Sequence, residues 1–138
     1  MTETPDILKA AAIIIQDGKE LLVRAKDKEH FVEPGGKPEQ GETIEQALIR
    51  ELKEELEIDV DEGDLEKFGT FTAPAAGQEH RSLLMEAFIV RRWRGEISPA
   101  SEIEEKRWIG AVIPSDIKVG SIFEHDIHPR LIEEGRIR

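Results

Sequence analysis

Residues 43–56, TIEQALIRELKEEL, make the one strongly helical stretch of this chain. At about 100° per residue, helical side chains sort onto faces without any coordinates. With Glu51 set at zero, Ile44, Leu48, Leu52, Leu56 and Ile49 fall between about 20° and 160°, and Gln46, Lys53, Glu57 and Arg50 fall between about 200° and 260°. An apolar stripe of this width has to be covered by a second layer of structure. Glu55 interrupts it. At about 40° this carboxylate stands inside the stripe, with Glu51 on the edge and Glu54 about 60° to the other side, so the three converge near the last turns. A carboxylate turned toward a core is costly unless it is paired or bound to metal, and clustered carboxylates also repel one another. Divalent cations remove both costs, and hard oxygen ligands at this spacing suit Mg²⁺ or Mn²⁺. Glutamates placed for solubility account for Glu57 but not for Glu55.

The rest of the chain reads mostly as strand. Residues 7–15 and 20–25 flank Asp17-Gly18, a dipeptide that accepts positive φ at both positions of a type I′ turn, which predicts a β-hairpin. Residues 65–72, 81–93 and 105–109 are further strands by their Phe, Ile, Val and Leu content. A second, weaker helix is expected over 128–134, with Pro129 in its first turn. Strands around one long helix imply an α+β or α/β layered fold.

The chain has 138 residues, with no repeat, linker or low-complexity stretch, which suits a single domain over 1–138. It has no cysteine and no leader, and its longest apolar run, 10–15, is too short to span a bilayer. The expectation is a cytoplasmic protein without disulfides, monomeric or homodimeric. Thirty acidic against 19 basic residues give a net charge of −11, which repels a nucleic-acid polymer or an anionic membrane. An anionic small molecule would need divalent cations as bridges.

Gly36, Glu42, the run from Arg50 to Glu55 and Ile58 keep a fixed spacing. This pattern resembles the Nudix box of hydrolases that act on nucleoside diphosphates linked to another moiety. Trp93-Arg94-Gly95-Glu96 and residues 102–108 are similar to the part of MutT-type pyrophosphohydrolases that donates another glutamate to the metals. The resemblance implies an α/β/α sandwich with a central mixed β-sheet and an Mg²⁺-dependent attack of water at phosphorus, without a covalent intermediate. It assigns catalysis to Glu51, Glu54, Arg50 and Glu102. It assigns metal binding to the Gly35 carbonyl, Glu51, Glu54, Glu55 and Glu102. Glu104 and Glu105 compete with Glu102, because strand polarity can turn a neighbour into the site. By spacing alone Arg50 pairs with Glu54, whereas the resemblance has it orient the box glutamates; either way it positions carboxylates.

Outside the box, Arg24, Lys26 and Lys37 are candidate phosphate contacts. Phe31, with His30 and Phe71, is a candidate base-stacking group. Two residues depart from the family pattern. Glu57 replaces the glycine that ends the helix, so the helix runs on or bears about 1 kcal/mol of strain. Glu33 replaces an apolar residue before Pro34, and is expected to accept a hydrogen bond from a base amino group. The short chain favours a nucleoside triphosphate or an oxidised nucleotide as substrate. Pro74 resembles a feature of ADP-ribose-cleaving relatives and keeps a nucleotide-sugar pyrophosphatase as the alternative. The other classes are a nucleotide-binding regulatory protein without turnover and an acidic interaction module.

Overall fold

A computed structural model describes residues 6–75 and 78–138 of the chain. Strand β1, Ile7–Ile13, lies at its centre. Its alternate residues Ala10 and Ala12, with Ile14 beyond them, enter one core, while Ala11 and Ile13 enter another. All five are fully buried. A strand with two apolar faces needs a layer on each side, and that requirement sets the architecture.

β1 runs parallel to β7, Gln78–Val90, and antiparallel to the short β5, Gly35–Gly36. β6, Leu65–Ala75, pairs with β7 to complete a mixed sheet in the order β5-β1-β7-β6. A second sheet holds β2, Ile15–Gln16, then β3, Lys19–Ala25, then β8, Ile103–Ile109. β4, His30–Phe31, pairs with β9, Lys118–Val119.

The expected hairpin over 7–15 and 20–25 is therefore only partly present. Asp17 and Gly18 do take positive φ, 54° and 74°, but only Ile15 and Gln16 pair with β3. Ahead of them the chain changes sheets, because the two-faced apolar run of β1 is best buried between neighbours in the mixed sheet. β7 also ends at Val90 rather than at residue 93. There the Arg91 amide turns to the Asp64 carbonyl, and Arg94 bridges to Asp59.

Helix α1, Ile44–Leu56, begins with a reciprocal cap: Thr43 Oγ1 accepts from the Gln46 amide, and Gln46 Oε1 accepts from the Thr43 amide, each at 3.0 Å. It stops at Glu57, which adopts the left-handed conformation (φ 59°, ψ 31°) and sends its N–H to the Lys53 carbonyl. Leu48, Leu52 and Leu56 are fully buried against β1 and β3, each contributing roughly 1.5–3 kcal/mol by its burial. Helix α2, His128–Glu133, covers the opposite face of the mixed sheet through Leu131. It continues a helical run that starts upstream. A wider turn over Phe123–Ile127 carries the His128 N–H to the Phe123 carbonyl just before Pro129, which has no N–H to offer. Two helices on opposite faces of a mixed sheet make the α/β/α sandwich. No helix among the described residues is long and apolar enough to cross a membrane.

Candidate active site

The last two turns of α1 present Glu51 and Glu55, and the loop before β8 presents Glu102. One carboxylate oxygen from each lies within 4.8 Å of the others. Glu55 is 5% exposed, and its Oε1 accepts the Gly35 amide at 3.0 Å. Burial pushes the Glu55 carboxyl up to about 8; the Gly35 amide and the Lys9 charge oppose the shift, while Glu51 and Glu102 add to it. Burial also raises Glu51. Glu102 goes the other way, held down first by the Ser101 hydroxyl, which donates to its Oε2 at 2.6 Å. Without a cation, the proton sits on Glu55 and the charge on Glu102.

Three acids this close, one of them buried, cannot all ionise unaided. Their all-oxygen donor set fits a hard divalent cation, which would let them do so. Glu54 is not in this group: its side chain is 51% exposed and lies beside Arg50. Among the three acids that compete at the start of β8, Glu102 reaches the cluster, while Glu104 and Glu105 pair with Arg24. A left-handed Ser101 (φ 56°) and the Lys26 amide, which donates to the Glu102 carbonyl at 2.8 Å, fix that turn.

Arg50 organises the acids from one side. Its Nε and Nη2 grip the two carboxylate oxygens of Glu42 at 2.8 and 3.0 Å. Its Nη1 reaches Glu51 at 2.8 Å and Glu54 at 3.4 Å, and Nη2 also donates to the Lys37 carbonyl. The bond from Arg50 holds the Glu42 carboxyl down at about 2. Gly35 and Gly36 let the backbone pass through a tight space. A Cβ on Gly35 (φ 148°) would meet the Ala10 carbonyl oxygen at 2.0 Å, and one on Gly36 would meet the Glu51 carboxyl carbon at 2.4 Å.

Beside the three acids opens a cavity of about 510 Å³, lined by Gly35 and Glu55 and by residues from both sheets, among them Lys9, Val23, Val32 and Ile103. Of the residues expected to hold substrate, Glu33 lines this cavity, but its side chain is 1% exposed and stands against Glu20, which is fully buried. Burial raises both of these carboxyls, and three of their oxygens have no partner. Phe31 is 3% exposed and packs with Leu22, Ile109 and Phe123, leaving His30 as the ring on the cavity wall. Phe71 packs beneath α2 with the second core. Arg24 is occupied by Glu104, Glu105 and the Lys28 carbonyl. Lys26 and Lys37 are exposed. Lys9 and Glu20 are the residues that the sequence pattern left unmarked, and Glu42 entered it only as a point of spacing, without its role as the anchor of Arg50. Lys9 left one signal, as the lone cation in an apolar strand.

A model of the NUDIX domain matches residues 7–112, which carry every element from β1 to β8. The chain belongs to the Nudix family. It is 36% identical over 93 residues to the 8-oxo-dGTP diphosphatase of Escherichia coli (strain K12), covering 63% of this chain and 67% of that protein. Over 65 residues it is 40% identical to the 8-oxo-dGTP diphosphatase of Proteus vulgaris, covering 47% and 54%. The chain thus spans about half to two thirds of the length of these curated Nudix relatives. Among solved structures, the MutT NUDIX hydrolase from Burkholderia pseudomallei shares the fold with a TM-score of 0.73 at 23% identity, covering 88% of this chain and 95% of that one. The E. coli ORF135 protein matches with a TM-score of 0.60 at 31% identity, covering 76% and 74%.

Proposed function

We propose that this chain is a divalent-cation-dependent pyrophosphohydrolase of nucleoside triphosphates, with an oxidised purine nucleotide of the 8-oxo-dGTP kind as its preferred substrate. The observation that carries this reading is the meeting of Glu51, Glu55 and Glu102, the second of which also lines a cavity of about 510 Å³. These three would hold Mg²⁺ or Mn²⁺, with the Gly35 carbonyl and Glu54 as the further ligands carried over from the family. When bound, the cation neutralises the diphosphate and makes water a better nucleophile. Arg50 keeps Glu51 aimed at the cluster. Glu54, exposed beside it, would take a proton from the attacking water; its exposure to solvent supports that role. Oxygen from water bonds to phosphorus as the anhydride P–O bond breaks, and the displaced phosphate carries the electron pair away. Charge spreads over the phosphoryl oxygens in such a reaction, so positioning and electrostatics supply most of the rate.

The test is release of phosphate or pyrophosphate from a panel of nucleoside triphosphates and nucleotide sugars with Mg²⁺, for wild type, Glu54→Gln and Glu55→Gln. The expected result is turnover by wild type that falls at least a hundredfold in Glu55→Gln, about the size found when one electrostatic contact to the transition state is lost. Turnover unaffected by both substitutions would overturn the mechanism. No turnover of any substrate would favour a binding protein.

A further inference from the structure

Lys9 touches the acid cluster only through its charge, which is felt at Glu55, yet it also lines the cavity. It is half-buried, and among the described residues its Nζ makes one hydrogen bond, a long one of 3.4 Å, to the Glu33 carbonyl. An ammonium has three protons to give, and a carbonyl oxygen has a second lone pair. The neighbouring wall is apolar at Val23, Val32 and Ile103, and the lining acids that feel the Lys9 charge, Glu33 and Glu55, take no side-chain hydrogen bond from Nζ among the described residues. The side chain of Glu33 is turned into the protein against Glu20, so its main-chain oxygen is the group Lys9 meets. A donor and an acceptor therefore stand side by side in the wall, 3.4 Å apart, each with capacity left over.

A ring C=O next to a ring N–H complements that pair: the carbonyl accepts from Lys9 while the N–H donates to the Glu33 oxygen. We propose that Lys9 and the Glu33 carbonyl read the lactam edge of a nucleobase, which makes Lys9 a specificity-determining residue. Guanine, hypoxanthine and uracil carry such an edge, and 8-oxoguanine carries two. Adenine presents a donor and an acceptor in the reverse order, so in the same pose its amino group faces the ammonium and its ring nitrogen faces the carbonyl oxygen. The inference rests on the nucleotide reading above and deepens it, because it names the chemistry by which the cavity distinguishes bases.

Hypoxanthine and adenine differ only at this edge, so dITP and dATP isolate it. Wild type, Lys9→Met and Lys9→Arg are compared as full chains, reading kcat and KM with Mg²⁺ for dITP, dGTP and dATP. Lys9→Met is expected to raise KM about tenfold for dITP and dGTP and less than twofold for dATP, the loss of one charged hydrogen bond, while any change in kcat through Glu55 is shared by all three nucleotides. Lys9→Arg, which keeps the donors, retains the order of preference. A uniform rise in KM for all three nucleotides would put Lys9 on the phosphates and overturn the proposal, and an unchanged ranking would overturn it too. Equilibrium dialysis of the metal-free protein with deoxyinosine and deoxyadenosine monophosphates separates the two readings. If nothing is hydrolysed, Lys9-dependent preference for the inosine nucleotide still supports base reading, and its absence defeats it.

Discussion

The guanidinium of Arg50 holds both carboxylate oxygens of Glu42, a residue outside the helix, while its remaining nitrogen holds Glu51 inside it. The arginine is a strut between the box loop and the cluster. A lysine cannot reproduce a two-pronged grip. Arg50→Lys should therefore lower kcat by one to two orders of magnitude while KM moves little, and Glu42→Gln should do the same more weakly. Steady-state kinetics on the best substrate of the panel measure both. Equal kcat in Arg50→Lys and wild type would remove the strut from the mechanism.

Gly36 has room for its backbone but not for a methyl group, which would lie 2.4 Å from the Glu51 carboxyl carbon. The obstacle is the end of a side chain, so Glu51 moves aside and the fold survives. Gly36→Ala should melt within a few degrees of wild type and lose at least tenfold in kcat, with weaker Mg²⁺ binding by calorimetry. Loss of folding with no separate effect on metal would contradict this account.

Glu55 links the cluster to stability. Its folded carboxyl is pushed up to about 8 from an ordinary 4.5, so between those values the folded state holds a proton that the unfolded state has released. The stability it contributes is complete below about pH 4.5 and is lost as pH rises through about 8. In EDTA, the melting temperature should fall from pH 5 to pH 8.5. Mg²⁺ should raise it more at pH 8 than at pH 5, because the cation favours the ionised acid. Glu55→Gln should flatten both trends. Thermal melts across that range decide the matter, and a melting temperature independent of pH in EDTA counts against it.

Glu20 shifts in the same direction, through burial and the nearby Glu33. Glu20→Gln removes the cost of keeping a buried carboxyl protonated or charged beside Glu33, so it should raise the melting temperature at pH 8 more than at pH 5. A lower melting temperature at pH 8 would mean that the carboxylate is useful to the fold.

Glu57 closes α1 in a conformation that a side chain adopts at a cost of about 1 kcal/mol. Glu57→Gly should stabilise the protein by up to that amount, or a few degrees in the melting temperature, without altering kcat. Denaturant unfolding of the two proteins tests it.

The face of α1 was legible because a helical period repeats along residues 43–56, and Leu48, Leu52 and Leu56 are buried as that period requires. The partner of β1 was not, since a run that is apolar on both faces has no period to orient it. Nor did spacing choose among Glu102, Glu104 and Glu105. That choice belongs to Ser101, whose backbone turns over at φ 56°, and to a hydrogen bond from Lys26 across the chain. Phe31 shows the same limit from the other side. An aromatic on a two-residue strand looks free to stack, and it is buried by Leu22, Ile109 and Phe123, the last of which arrives from nearly the far end of the chain. The box could be read because its chemistry is local to one helix and one turn. The cavity could not, because its walls come from both sheets.

Where the chain leaves β1 for β2 at Ile14, it parts the two sheets, and the cavity spans the residues they contribute on either side. The acids instead hang chiefly from α1, anchored by leucines that do not line that cavity. On the proposed reading, recognition and bond cleavage rest largely on separate supports, which meet where Glu55 lines the cavity. If that reading holds in the assays above, exchanging Lys9 or His30 changes the substrate while the acids on α1 stay in place.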